Sequence, residues 1–184
     1  KKSQAVGGDR VRWQAAADEG TIESVVERKN LFYRKDEVRT KSFAANLDQV
    51  LILLGAEPEF SETQLSRALI AAEAEHIKPL IVLNKSDLED AFTPAWQKLT
   101  AYRQMGYTVL PLQLKTPNET NDTLRSLQAE MTGKTTLILG PSGAGKSTLV
   151  NALVPNARAL TGEISQALNS GKHTTTSTSL YWMG

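Results

Sequence analysis

Eight residues, Gly140-Pro141-Ser142-Gly143-Ala144-Gly145-Lys146-Ser147, match the pattern G-x-x-x-x-G-K-[ST]. Glycines let a backbone turn so that successive N–H groups converge on phosphate oxygens at a helix N-terminus. In such a loop Lys146 is placed to reach the β- and γ-phosphates, and the Ser147 hydroxyl is available to Mg²⁺. Thr148 extends the same turn. The segment 140–148 follows an apolar run and precedes a helical one, the context a phosphate loop requires. Its residues predict a nucleoside triphosphate site with Mg²⁺.

A second set, Asn84-Lys85-Ser86-Asp87, follows the apolar run Pro79–Leu83. This places it at the carboxyl end of a buried strand, where open α/β sheets bind ligands. A carboxylate there accepts two hydrogen bonds from the N1–H and 2-amino groups of guanine, a donor pair that adenine lacks. Asp87 is therefore expected to select guanine, the Asn84 amide to brace loop and base, and the Lys85 stem to lie along the base plane. Four residues alone would be a coincidence; paired with a phosphate loop on one sheet they point to GTP and GDP. Their order is unusual, because in ordinary GTPases the phosphate loop comes first. One sheet still assembles both sites if the chain is circularly permuted, since topology decides which strands adjoin and not where the chain begins.

The elements that must hold these loops are legible as alternating strands and helices. Val50–Leu54 and Pro79–Leu83 are continuous apolar runs typical of strands buried on both faces. Ser61-Glu62-Thr63-Gln64 reads as a capping box, with Leu65, Leu69, Ala72 and His76 following at helical spacing. Thr93-Pro94 predicts a helix start, Tyr107–Leu112 a strand and Asn121–Met131 a helix. Thr135–Leu139 and Ser147–Leu153 predict the strand and helix on either side of the phosphate loop. The sum is an α/β fold with a parallel sheet and helices on both faces. Before Ala45 the texture differs: Val11–Gln14, Thr21–Glu27 and Leu31–Arg34 predict three short strands, part of a small β-barrel. The division is placed at 1–45 and 46–184.

Composition narrows the function class. The chain has 184 residues, 40% hydrophobic and 22% charged, which are ordinary globular values. It contains no cysteine, which excludes thiol catalysis and cysteine-ligated zinc within it. Its apolar runs are far shorter than the roughly 18 residues of a membrane span. No leader pattern opens it, and a soluble cytoplasmic protein is expected. Residues 1–44 carry ten Lys/Arg against seven Asp/Glu, and the remainder eleven against thirteen. A mildly basic N-terminal piece is compatible with a nucleic-acid partner without requiring one. No feature points to an obligate dimer, and a monomer is expected.

The reversed motif order brings a family into view. The chain resembles the circularly permuted ribosome small-subunit biogenesis GTPases, the RsgA/YjeQ family. The resemblance rests on Gly8-Asp9-Arg10-Val11, Ala44-Ala45-Asn46-Leu47-Asp48-Gln49, Val82–Asp87, Gly140–Leu153 and Gly171-Lys172-His173-Thr174-Thr175-Thr176. It implies an N-terminal OB-fold that meets ribosomal RNA, a permuted GTPase domain and a C-terminal zinc-binding domain. It also implies GTP hydrolysis stimulated by the small ribosomal subunit, late in that subunit's maturation. By position, Thr175 resembles the switch threonine that closes on Mg²⁺ and γ-phosphate, and His173 the histidine that positions the attacking water. Taken alone, the segment 171–176 reads as a polar loop. The chain departs from the family in having no D-x-x-G, and Gln113-Leu114-Lys115 stands near the expected guanine-contact loop. A copy truncated before the D-x-x-G motif is therefore expected, with Zn²⁺ only in the domain beyond it. Two other readings stay open: an RNA-binding module whose nucleotide site only regulates docking, and an unrelated P-loop ATPase.

Overall fold

The computed structural model describes residues 5–16, 19–35, 40–116, 120–154, 157 and 178–183. Its centre is a four-stranded, all-parallel sheet of order β7-β6-β5-β8, made of β5 (Gln49–Gly55), β6 (Lys78–Asn84), β7 (Thr108–Leu112) and β8 (Thr136–Leu139). Every residue of β5 is buried, which explains the unbroken apolar run. Because side chains alternate across a strand, the run divides between two cores. Val50, Ile52, Leu54, Ile81 and Leu83 enter one core, and Leu51, Leu53, Leu80 and Val82 the other. Burying a leucine of this kind contributes about 1.5–3 kcal/mol.

The helices distribute themselves accordingly. The first face is covered by α1 (Glu62–Ala74) through Leu65, Leu69 and Ala72, with Ala95 of α2 (Glu89–Lys98) and Tyr102 of α3 (Thr100–Gln104). The second is covered by α4 (Asp122–Met131) through Leu124, Leu127 and Met131, and by α5 (Lys146–Leu153) through Leu149 and Leu153. From β5 to β6 to β7 the chain steps in one direction with its helices on the first face. It then returns through α4, on the opposite face, to β8 beside β5. Right-handed crossovers require that change of face when the direction reverses. The helices following the neighbours β5 and β8 thus leave on opposite sides, and a crevice opens at their carboxyl ends.

Local details refine the sequence expectations. Ser61 caps α1, its hydroxyl accepting from the Gln64 N–H at 3.3 Å, and Asn121 caps α4 by accepting from the Leu124 N–H at 3.0 Å. The helix expected to start at Thr93-Pro94 starts earlier, at Glu89, and Pro94 lies inside it. The start is set by a turn in which the Leu88 carbonyl accepts from the Ala91 and Phe92 N–H groups, with Glu89 and Asp90 favoured in the first turn. His76 falls outside α1: it is exposed, with φ of 54°. It takes part in the reversal into β6 rather than in the helical stripe.

Among its described residues the N-terminal region holds four strands, one more than the three expected. Here β1 (Val11–Ala16) pairs with β2 (Glu19–Val25), and β3 (Leu31–Lys35) with β4 (Thr40–Ala45), both antiparallel. The fourth carries little sequence signal because Thr40-Lys41-Ser42 is polar and only Ala44 and Ala45 are buried. Among the described residues the two pairs form separate sheets. The segments that carried the family resemblance near Gly8 and Asn46 meet at the junction with the parallel sheet. Asp9, its side chain 1% exposed, is held by the Arg28 guanidinium at 2.7 and 2.8 Å and by the Val6 N–H at 2.8 Å. Asn46, at φ 56°, donates to the Gly8 carbonyl and accepts from the Lys29 N–H, both at 2.8 Å. A Cβ on Gly8 would collide with the Ala45 carbonyl, so only glycine fits there. Asp48 bridges onward, accepting from Lys29 Nζ at 2.9 Å and from the Thr135 N–H at 2.8 Å, just before β8.

Candidate functional site

All four strands of the central sheet point the same way, so the loops after β5, β6, β7 and β8 gather at one end. Only β5 separates β6 from β8, which puts Asn84-Lys85-Ser86-Asp87 and the phosphate loop roughly 10 Å apart by strand spacing. The two motifs, 56 positions apart in the sequence, meet across the end of β5.

Asn84 ends β6 and is 3% exposed. Its Nδ2 donates to the Ala144 carbonyl of the phosphate loop at 2.9 Å, and its own carbonyl accepts from the Ala56 N–H at 3.1 Å. One residue thereby ties together the loops after β5, β6 and β8. Its Oδ1 is buried and has no hydrogen-bond partner, which leaves an acceptor at the seam. Lys85 takes φ of 70°, and its ammonium donates to the Glu57 carbonyl. The Ser86 N–H donates to the Leu112 carbonyl at 3.1 Å, which fixes this loop to the end of β7. The Asp87 carboxylate, 17% exposed, meets the Lys115 ammonium at 2.7 Å. That hydrogen bond, with Lys85 nearby, holds the Asp87 carboxyl below the usual carboxylate range, so it stays ionised near neutral pH.

The phosphate loop fits its place closely. A Cβ on Gly140 would strike the Leu53 carbonyl, and one on Gly145 would stand 2.5 Å from Asn84 Nδ2. Gly143 and Gly145 have φ of 80° and 100°, which other residues adopt only at a cost. Pro141, Ser142 and Gly143 are exposed, whereas Ala144 is buried and anchors the loop. Helix α5 then begins at Lys146 with Gly145 as its N-cap. Lys146 Nζ donates to the Gly140 and Pro141 carbonyls, each at 2.7 Å, and burial pulls its pKa below the ordinary lysine value. The ammonium is thus curled over the loop, bonded to neutral acceptors that a phosphate oxygen would outmatch. Ser147 is partly exposed in the first turn of α5, and Thr148 beside it is exposed.

The fit to a bound nucleotide follows from these observations. Gly140 and Gly145 admit no Cβ because the loop packs directly against Leu53 and Asn84, and it leads into the N-terminus of α5, where backbone N–H groups favour an anion. Ser147 supplies a hydroxyl oxygen, the donor type a hard cation such as Mg²⁺ takes. His173 and Thr175 lie outside the described residues. Sequence reasoning does not anticipate the part played by the end of β5, where a Cβ on Gly55 would come within van der Waals reach of Ala144, although the resemblance places Leu114, found beside Gly145, near the base site. No local pattern marks Gly55, because its role depends on which strands adjoin.

Comparison with known proteins agrees with this arrangement. The family model described as RsgA GTPase matches residues 25–184. The small ribosomal subunit biogenesis GTPase RsgA of Variovorax paradoxus is 71% identical over 183 residues, and that of Burkholderia mallei 54% identical over 182. These alignments take in 100% and 98% of this chain but 57% of each relative, so the chain spans little more than half their length. Among solved structures, YjeQ from Thermotoga maritima superposes with a TM-score of 0.64 at 29% identity, covering 83% of this chain and 52% of that one. YloQ, described as a circularly permuted GTPase, gives 0.60 at 32% identity, covering 85% and 52%. The guanine-type loop preceding the phosphate loop on one parallel sheet, together with the match over residues 25–184, makes this chain a member of the RsgA GTPase family.

Proposed function

We propose that this chain carries the nucleotide site of a GTP-hydrolysing ribosome-assembly factor that binds the small ribosomal subunit and its rRNA late in maturation, in the cytoplasm. The observation that carries the nucleotide reading is the Asn84–Ala144 hydrogen bond, which couples a guanine-selecting loop to a phosphate-binding one. The ribosomal part rests on the names of the relatives. In this reading Asn84, Lys85, Ser86 and Asp87 hold the base, and residues 140–148 hold the phosphates. The division at residue 45, between antiparallel pairs and parallel sheet, separates an RNA-facing unit from the GTPase unit.

Lys146 would exchange its two carbonyl acceptors for phosphate oxygens. Backbone N–H groups of the loop would stabilise the negative charge that grows during transfer. Mg²⁺, when bound, neutralises phosphate charge, and Ser147 and Thr175 would be the residues that hold it. His173 would orient the attacking water.

The decisive experiment is GTP turnover by the full-length protein with and without purified small subunits, with ATP as control. GTP-specific turnover that rises strongly with subunits is expected. Lys146→Ala should abolish it, whereas His173→Ala should spare nucleotide binding and slow the stimulated rate. Turnover indifferent to subunits would remove the ribosomal assignment, and equal use of ATP would remove the guanine one.

A further inference from the structure

The loop after β7 begins with Gln113-Leu114-Lys115, and its structure gives Lys115 a role. Gln113 is fixed at its base, its N–H donating to Thr123 Oγ1 at 3.1 Å and its carbonyl accepting from Asn121 Nδ2. Asn121 is itself 3% exposed and committed to capping α4. Leu114 next lies beside Gly145, with its Cδ1 3.5 Å from where a Cβ would stand. The loop therefore touches the phosphate loop through Leu114 and the Asp87 loop through Lys115, its first arm into solvent. The Lys115 side chain is 73% exposed, yet its ammonium turns back to Asp87 Oδ2 at 2.7 Å.

In the reading of Asp87 as the guanine acceptor, on which this inference rests, both carboxylate oxygens must face the N1–H and 2-amino donors. The ammonium occupies one of them. We propose that Lys115 is an intramolecular competitor for the guanine base, and that its displacement from Asp87 sets the affinity for guanine nucleotides. The competitor is tethered, so its effective concentration is constant and the protein alone determines how strongly it opposes the base. Exposure keeps the contest mild, because a solvated ion pair is weak and screened by salt.

Lys115→Met tests this, since methionine keeps the apolar stem and removes the charge at an exposed position. Titration calorimetry with GDP on the full chain should give about two- to fivefold tighter binding for the variant at low salt, the range of an exposed ion pair. The gap should close toward 1 M KCl, where screening acts within about 3 Å. In an Asp87→Asn background, measured with xanthosine diphosphate whose 2-oxo group suits an amide, Lys115→Met should have no effect. Equal or weaker GDP binding by Lys115→Met at low salt would overturn the proposal, as would a gap that persists in the Asp87→Asn background. If Asp87→Asn leaves GDP affinity unchanged, the base reading falls and the competition falls with it. If Asp87→Asn weakens GDP binding while Lys115→Met does nothing, only the competition falls.

Discussion

Gly145→Ala isolates the close approach between the two nucleotide loops. Gly145 has φ of 100°, so an alanine there incurs the left-handed backbone cost of about 1–2 kcal/mol. Its Cβ would also stand 2.5 Å from Asn84 Nδ2, nearer than real side chains approach. Asn84 must then move and release the Ala144 carbonyl, and an unsatisfied buried acceptor adds about 1–3 kcal/mol. The total is about 2–5 kcal/mol. Gly133 and Gly106 supply the comparison, with φ of 70° and 92° and nothing within 4 Å of where a Cβ would stand. Alanine at either position should incur the backbone cost alone. Urea denaturation of the unliganded protein reads all three without nucleotide. In an Asn84→Ala background the excess of Gly145→Ala over Gly133→Ala should disappear, since the group it displaces is gone. Equal destabilisation by Gly145→Ala and Gly133→Ala in the unmodified chain would refute the reasoning.

At the junction, Arg28→Ala should cost about 2–3 kcal/mol, because it strips a two-point, charge-assisted partner from the buried Asp9 carboxylate. The Arg28 bond holds the Asp9 pKa below its unfolded value of about 3.9. That contribution is complete above the unfolded value and is lost as pH falls through the depressed folded one. The stability gap between the unmodified chain and Asp9→Asn should therefore be full at pH 7 and shrink below about pH 4; urea midpoints across that range that leave the gap constant would contradict the assignment. Asn46→Ala removes two hydrogen bonds and places alanine at φ 56°, for an expected loss of about 2–4 kcal/mol. Asn46→Gly relieves the backbone strain but not the lost bonds, so it should fall between; Asn46→Ala within about 0.5 kcal/mol of the unmodified chain in the same assay would count against it.

Much of this protein is determined locally. Continuous apolar runs at Val50–Leu54 and Pro79–Leu83 already require strands covered on both faces. The caps at Ser61 and Asn121 follow from side chains that satisfy the first N–H groups of a helix. The phosphate loop is readable because its glycines and lysine act within one turn of chain. Where local signals mislead, a distant constraint or a weak pattern is responsible. Pro94 sits within α2 because the turn at Leu88 starts that helix five residues before the Thr93-Pro94 signal. Strand β4 is faint in the sequence because its polar half pairs with β3 at an exposed edge.

Only the tertiary structure decided what each motif touches. Local order cannot say that β5 lies between β6 and β8, because strand adjacency is a property of the assembled sheet. That adjacency brings Asn84 to Ala144 and sets Gly145 against an amide, while the loop after β7 reaches both neighbours, Leu114 beside Gly145 and Lys115 on Asp87. The pairings span 60 residues between Asn84 and Ala144 and 28 between Asp87 and Lys115, separations over which sequence spacing carries no geometric information. The chemistry was legible in the residues, and their mutual geometry was a consequence of the sheet.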